Sequence, residues 1–337
     1  MSYQGKPSTS LIIKPISRVL DEADKLVLEG MSDETVTLQT RWSGFNRLMM
    51  GGLRFNNTYV IAGASGHGKS FLLNMLIQDF LNPTLNGEYR KPFKILHFGF
   101  EMSAADEILR RASAATDISY PNLLGAFQKL TPQQYEFFKE KLNPMKEEPI
   151  YFVEQPTTRY KIYNTIKEFK NRFPDDDLIV TLDHTLLVQS EVGENEIETL
   201  AGLGKLFIEI RKEFNTMNIL LGQLNDKIES EKRLDPTNPS LHYPTKTDIH
   251  GSKQLYHAAD VVMVIHQPSL LHLEYYGKKD IPTADLVALH VLKNRKGEQG
   301  LTLLKNNLAN GRFEEWNYER QSTSRYSYGY DQSNTGG

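Results

Sequence analysis

The chain has 337 residues, 39% of them hydrophobic and 10% aromatic, a formal net charge of −3 and a sequence pI near 6.3. That composition supports a sizeable core, as one α/β domain with insertions or about two domains, and confines any nucleic-acid site to a local patch. The absence of cysteine excludes disulfides and thiolate metal sites, the nine histidines lack ligand spacing, and no signal-peptide or membrane-spanning apolar run occurs, so the chain reads as soluble and cytoplasmic.

Residues 1–14 are polar, contain Pro, Ser and Gly, and read as a flexible N-terminal arm. Residues 15–37 read as a linker helix and its linker. Ile16, Val19, Leu20, Ala23, Leu26 and Val27 recur at helical spacing, and Gly30 supplies a stop. The apolar stripe has to be covered by its own domain or by a neighbouring subunit, and the pattern leaves both open. From residue 58 the pattern changes. TYVIAGA (58–64), FKILHFGF (93–100), EPIYFVE (148–154), DLIVTLDH (177–184), MNILLGQL (217–224) and DVVMVIH (260–266) are near-continuous apolar runs of strand length. Amphipathic helices are expected at 69–81, 103–116, 158–173 and 196–214. Alternation of this kind predicts an α/β fold, a mostly parallel twisted sheet with helices on both faces. DLVALHVLKN and GLTLLKNN flank RKGEQG and read as a β-hairpin at the sheet edge. Residues 225–252 are polar, contain prolines and lack periodicity; a loop of that length is expected to be functional or disordered. The Ser-, Tyr- and Gly-rich tail, 319–337, is expected to be disordered.

Gly63, Ala64, Ser65, Gly66, His67, Gly68, Lys69 and Ser70 satisfy G-x-x-x-x-G-K-[ST] between an apolar strand and a helix. Glycines at these positions let backbone N–H groups turn inward. With Lys69 they hold the β- and γ-phosphates of a nucleotide, and the Ser70 hydroxyl ligates Mg²⁺. Hydrolysis needs two further carboxylates, one for the magnesium and one to position or activate water. Asp183, at the end of an apolar strand, suits the first role. Glu101 follows the strand after the loop; as residues alone, a catalytic base and a helix cap are equal readings. No N-K-x-D run follows Asp183, which argues against a GTPase.

Several stretches together resemble the DnaB-type replicative helicases, over roughly residues 38–318. HFGFEMS (97–103) is similar to their strand–Glu–Met–Ser signature, and residues 111–136 to the helical segment after it. DLIVTLDHTLLV resembles their magnesium-site strand, LLGQLNDKIE a strand ending in a glutamine sensor, and DIHGSKQLYHAADVVMVIH a Gly-Ser loop, helix and strand. LKNRKGEQG is similar to their Lys-x-Arg hairpin, followed by a closing strand near GRFEEWN. The resemblance implies a RecA-like P-loop NTPase domain over 38–318. It makes Glu101 the catalytic base, Asp183 a magnesium holder and Gln223 a γ-phosphate sensor. Lys293 and Arg295 become a pair that reaches the adjacent subunit's nucleotide. Two residues apart on a strand, they share a face.

His250, Gly251, Ser252 and Lys253 match the loop that the family turns toward its central DNA channel. Here His250 stands where an arginine is common and Lys253 where a glycine is common, so the charge has moved. The wider loop is charge-balanced, with Lys227, Lys232, Arg233, Lys246 and Lys253 against Asp226, Glu229, Glu231, Asp235 and Asp248, and reads as solvated outside 250–253. The resemblance also assigns the linker helix to intersubunit packing. The family's N-terminal collar, which recruits primase, has no counterpart in the roughly 40 preceding residues, so the chain is expected to be a motor-only member of bacteriophage type. ATP and Mg²⁺ are the implied cofactors. Single-stranded DNA and other copies of the chain in a hexameric ring are the implied partners, with primase, a loader or a single-strand-binding protein beyond them. A RecA-like recombination ATPase and a DNA-dependent ATPase loader are the alternatives.

Overall fold

The computed structural model describes residues 13–31, 36–87, 89, 91–307 and 312–316. Apart from residues 13 and 14, the expected N-terminal arm lies outside the described residues, as does the expected tail. The strands are β1 (Asn57–Gly63), β2 (Phe93–Gly99), β3 (Ile150–Val153), β4 (Asp177–Asp183), β5 (Met217–Gln223), β6 (Val261–His266), β7 (Tyr275–Tyr276), β8 (Ile281–Pro282), β9 (Leu286–Asn294), β10 (Gly300–Asn307) and β11 (Arg312–Glu315). The helices are α1 (Ile16–Met31), α2 (Ser43–Leu48), α3 (Lys69–Phe80), α4 (Pro83–Asn86), α5 (Ala104–Thr116), α6 (Tyr120–Leu123), α7 (Pro132–Leu142), α8 (Arg159–Arg172), α9 (Glu196–Phe214), α10 (Glu231–Leu234) and α11 (Ser252–Ala258).

A nine-stranded sheet runs in the order β11-β10-β9-β6-β1-β5-β4-β2-β3. From β6 to β3 every pairing is parallel, while β9, β10 and β11 continue it antiparallel. The apolar runs are continuous because both faces are buried. Tyr59, Ile61, Ile219, Leu221 and Met263 pack on one face against Leu72, Leu76 and Phe80 of α3. Val60, Ala62, Val180, Leu182 and Leu220 point to the other, against Ile162 and Ile166 of α8 and Leu203, Phe207 and Ile210 of α9. Fully burying one such side chain contributes about 2 kcal/mol.

Local chemistry sets the helix ends. Thr131 with Gln134, and Asn195 with Glu198, form capping boxes that start α7 and α9. The latter stops at Asn215, whose φ of 55° breaks the helical run. α1 forms as expected, but it has no buried residue, and Ile16, Leu20, Leu26 and Val27 are all exposed.

Two expectations are corrected. β9 and β10 do form the expected hairpin, but β11 adds to β10 and takes the edge. Its Phe313 is buried against Phe71, and its carbonyl accepts the Trp42 indole N–H at 2.9 Å. Residues 225–252 are not a solvated loop. They form short 3₁₀ and α turns folded around one guanidinium, which is why no longer period is visible. Arg233 donates to the Leu241 carbonyl (2.5 Å), the Tyr243 carbonyl (2.6 Å) and both carboxylate oxygens of buried Asp248 (3.0 Å each). Tyr243 then packs on Tyr276 of β7, so the segment and the β7–β8 hairpin share a small core.

Removing one partner of a buried ion pair leaves an uncompensated charge, so Asp248→Ala should destabilise the fold by about 3 kcal/mol in urea denaturation. Limited proteolysis should then cut within 225–250. An unchanged midpoint and an uncut segment would show that this pair does not organise it.

Candidate active site

The phosphate loop leaves β1 in mid-sheet, between β5 and β6, where the carboxyl ends of open α/β sheets form a ligand crevice. A side chain at Gly63 would stand 2.9 Å from the backbone oxygen and Cγ2 of Ile265. Gly68 adopts φ of 89°, a left-handed turn that feeds directly into α3 and points its first N–H groups at the loop. Lys69 Nζ folds back onto the Gly63 and Ala64 carbonyls at 3.1 and 3.0 Å. Burial lowers its pKa, while the nearby Glu101 and Asp183 carboxylates act in the opposite direction.

Asp183 ends β4, and its carboxyl group accepts a hydrogen bond from the Ser70 side chain. Its Oδ1 is buried with no hydrogen-bond partner among the described residues. Burial raises the pKa of this carboxyl, the Ser70 bond opposes the rise, and Glu101 adds to it. An orphaned carboxylate oxygen beside a hydroxyl is a donor set that suits a hard divalent cation such as Mg²⁺, which takes few protein ligands and completes its shell from phosphate and water.

Glu101 follows β2, and its carboxylate lies 3.9 Å from His184 Nε2. The cap alternative is settled by geometry, because Ser103 is the N-cap of α5 and its hydroxyl accepts the Asp106 N–H at 3.1 Å. The end of β2 is anchored from below. His97 bridges Thr181 at 2.6 Å and Glu107 at 3.0 Å, all three buried, and a Cβ on Gly99 would meet Glu107 Oε1 at 2.7 Å and His97 Nε2 at 2.8 Å.

Gln223 stands in register with Gly63 on β5. Its carbonyl accepts the His250 N–H at 2.7 Å, and the Leu224 N–H donates to Gly63 at 3.2 Å. Backbone bonds thus connect the phosphate loop to residues 249–251. His250 Nε2 meets Glu196 Oε1 at 2.7 Å, an exposed pair at the start of α9. Gly251 has φ of 60°, and a Cβ there would come 2.2 Å from Leu200 Cδ1, so both backbone and space favour glycine. Ser252 and Lys253 open α11, but their side chains lie outside the described residues.

Lys293 and Arg295 are not near the loop of their own chain. Ala62 pairs with Val264 and Val264 with His290, so His290 marks the level of the last β1 residues. Lys293 pairs with Val262, two positions before Val264 on β6 and beyond a β-bulge, so it lies about 7 Å back toward the opposite end of the sheet. The two cations share a target, as expected of a pair on one face. Lys293 Nζ donates to the carbonyls of Tyr256 (2.6 Å), His257 (3.2 Å) and Ala259 (2.7 Å), and Arg295 joins at His257 (2.9 Å). They cap the C-terminus of α11, where cations are favoured. Asp260, buried, holds Arg211 at 2.7 Å and Arg295 at 3.6 Å.

His184 beside Glu101, the His97–Glu107 pair, and Gln267 against the phosphate loop were not read from the sequence. Gln267 carried a usable signal, since it is a polar residue directly after an apolar strand, as Gln223 is.

Burial first, then Arg295, pushes the Lys293 amine down to about 8. Below that pH it is charged and caps α11; above it the charge is lost. NMR of ¹³C-methylated lysines should show one signal titrating near 8 that is missing in Lys293→Arg. Titration of every lysine at its ordinary pKa of about 10.4 would contradict this burial.

Comparison with known proteins agrees with this fold. The model of the DnaB-like helicase C terminal domain matches residues 38–315. A probable plasmid replicative DNA helicase of Chlamydia muridarum (strain MoPn / Nigg) is 25% identical over 250 residues, covering 74% of this chain and 48% of that protein. The chain thus spans about half the length of that curated relative. Among solved structures, an isolated ATPase domain superposes with a TM-score of 0.75 at 16% identity, covering 90% of this chain and all of that one. A DnaB-like replicative helicase, described with its interactions with primase, superposes with a TM-score of 0.72 at 16% identity, over 91% of this chain and 68% of the other. With a nucleotide-loop core of this topology and a family match across most of its length, the chain belongs to the DnaB-like helicase C-terminal domain family.

Proposed function

We propose that this chain is the motor of a ring-forming, ATP-dependent replicative DNA helicase that moves along single-stranded DNA and unwinds duplex. The observation that carries the ring is the position of Lys293 and Arg295, a strand's reach from their own phosphate loop. Cations so placed can complete a nucleotide site only on another copy, which makes head-to-tail assembly part of the chemistry.

In this reading the Gly63–Ser70 loop grips the triphosphate through backbone N–H groups and Lys69. Ser70 and Asp183 hold magnesium, which when bound neutralises charge on the β- and γ-phosphates. Glu101 takes the proton of the attacking water. Lys293 and Arg295 of the neighbouring copy stabilise charge that develops on the γ-phosphate, and Gln223 senses its departure. Gln223 is bonded through its carbonyl to His250, so a shift of the strand end is transmitted to residues 250–253. Gly251 and Ser252 there offer backbone N–H groups to DNA phosphates, with His250 and Lys253 beside them; contacts of that kind do not read sequence. The exposed apolar stripe of α1 docks on the adjacent copy, and a hexamer is the assembly proposed. The relative solved with regard to primase makes primase the first further partner to test, before a loader or a single-strand-binding protein.

Forked DNA with a single-stranded 5′ or 3′ tail should be unwound in the presence of ATP and Mg²⁺, and native mass measurement should give a closed oligomer. Lys69→Ala should lose nucleotide binding, and Arg295→Ala should bind ATP yet lose at least about 10³-fold in hydrolysis. DNA-stimulated ATPase without unwinding would select a loading ATPase instead. Normal hydrolysis by Arg295→Ala would remove the role in trans.

A further inference from the structure

We propose that Gln267 is a positioning residue for nucleotide binding, one that aims the Gly68 N–H into the phosphate cradle. The proposal rests on the phosphate-loop reading above.

Gln267 follows β6, is buried, and touches the loop from two sides. Its Nε2 donates to the His67 carbonyl at 3.0 Å, and its backbone N–H donates to His67 Nδ1 at 3.1 Å. Its Oε1 accepts from Asn306 Nδ2 of β10 at 3.0 Å, which fixes the side-chain amide from behind. A trans peptide is planar, so the carbonyl of His67 and the N–H of Gly68 point in opposite directions. Pinning that carbonyl outward onto Gln267 therefore turns the Gly68 N–H inward, toward the phosphate. Gly68 needs such a restraint, because at φ of 89° glycine has alternative backbone states of similar energy. The space there is already taken: a Cβ on Gly68 would lie 3.3 Å from Gln267 Nε2.

His67 completes the clamp as an acceptor. Burial, with Lys69 adding to it, lowers the imidazole pKa to about 4, so Nδ1 keeps its lone pair for the Gln267 N–H. The ring is also held against His266, with centroids 5.4 Å apart. The loop is thereby tied to β6 and, through Asn306, to β10.

Gln267→Met keeps the side-chain volume and removes both side-chain hydrogen bonds. It should raise the KM for ATP about tenfold, the equivalent of one buried hydrogen bond, with kcat at saturating ATP retained. Asn306→Ala should shift KM in the same direction by less. Equilibrium binding of a fluorescent ADP, with Lys69→Ala as control, reports the same step without turnover. Unchanged KM and ADP affinity in Gln267→Met would overturn the proposal, as would a joint fall of kcat and melting temperature, which marks a residue that only packs. If Lys69→Ala itself bound ADP normally, the phosphate-loop reading would fall and this proposal with it.

Discussion

Strand β9 runs antiparallel to β6, and this reversal controls where the positive charge goes. β1, β5, β4 and β2 all deliver their carboxyl ends to one rim of the sheet, where the loop, Gln223, Asp183 and Glu101 converge. β9 instead carries Lys293 and Arg295 to the other rim. In the proposed reading, the two halves of the phosphate site therefore stand at opposite rims of the sheet in one copy. The cations lie on the carbonyl end of α11, a helix that begins at Gly251–Ser252. The candidate DNA loop and the candidate trans cations are thus opposite ends of one seven-residue helix.

The parallel sheet makes this arrangement rigid enough to matter. Its central strands are buried on both faces, so their ends are set by packing and not by loop preference. Polar groups then fix the last ångström. His97 and Glu107 hold the end of β2, Gln267 holds the phosphate loop, and Asp260 ties the start of β6 to Arg211 and Arg295. Each is buried, so removing its partner costs the full desolvation penalty of the group left behind.

Much of this was legible in the sequence. Strands buried on both faces announce themselves as unbroken apolar runs, and helices with caps and amphipathic spacing follow between them. The phosphate loop was readable because its chemistry demands glycines at fixed positions. As residues alone Glu101 was ambiguous, since a glutamate before Ser103 serves a cap or a base equally well; the resemblance favoured the base, and the Ser103 hydroxyl bonded to Asp106 fills the cap position. Residues 225–252 were misread because 3₁₀ turns around Arg233 leave no period. β11 was anticipated only through the family, being four residues long with a single buried aromatic. Contacts between distant residues, such as Gln267 with His67 or His97 with Glu107, leave no local pattern at all.

The central claim is that one nucleotide site takes residues from two copies, and mixing two inactive variants tests it most directly. Lys69→Ala lacks its own phosphate grip but keeps its cations, while Arg295→Ala has the reverse defect. Mixed at equal amounts, they should regain ATP hydrolysis at about a quarter of the head-to-tail interfaces, where the intact halves meet. If the mixture stays as inactive as either variant alone, although mass measurement shows that mixed rings form, the site is not shared between copies.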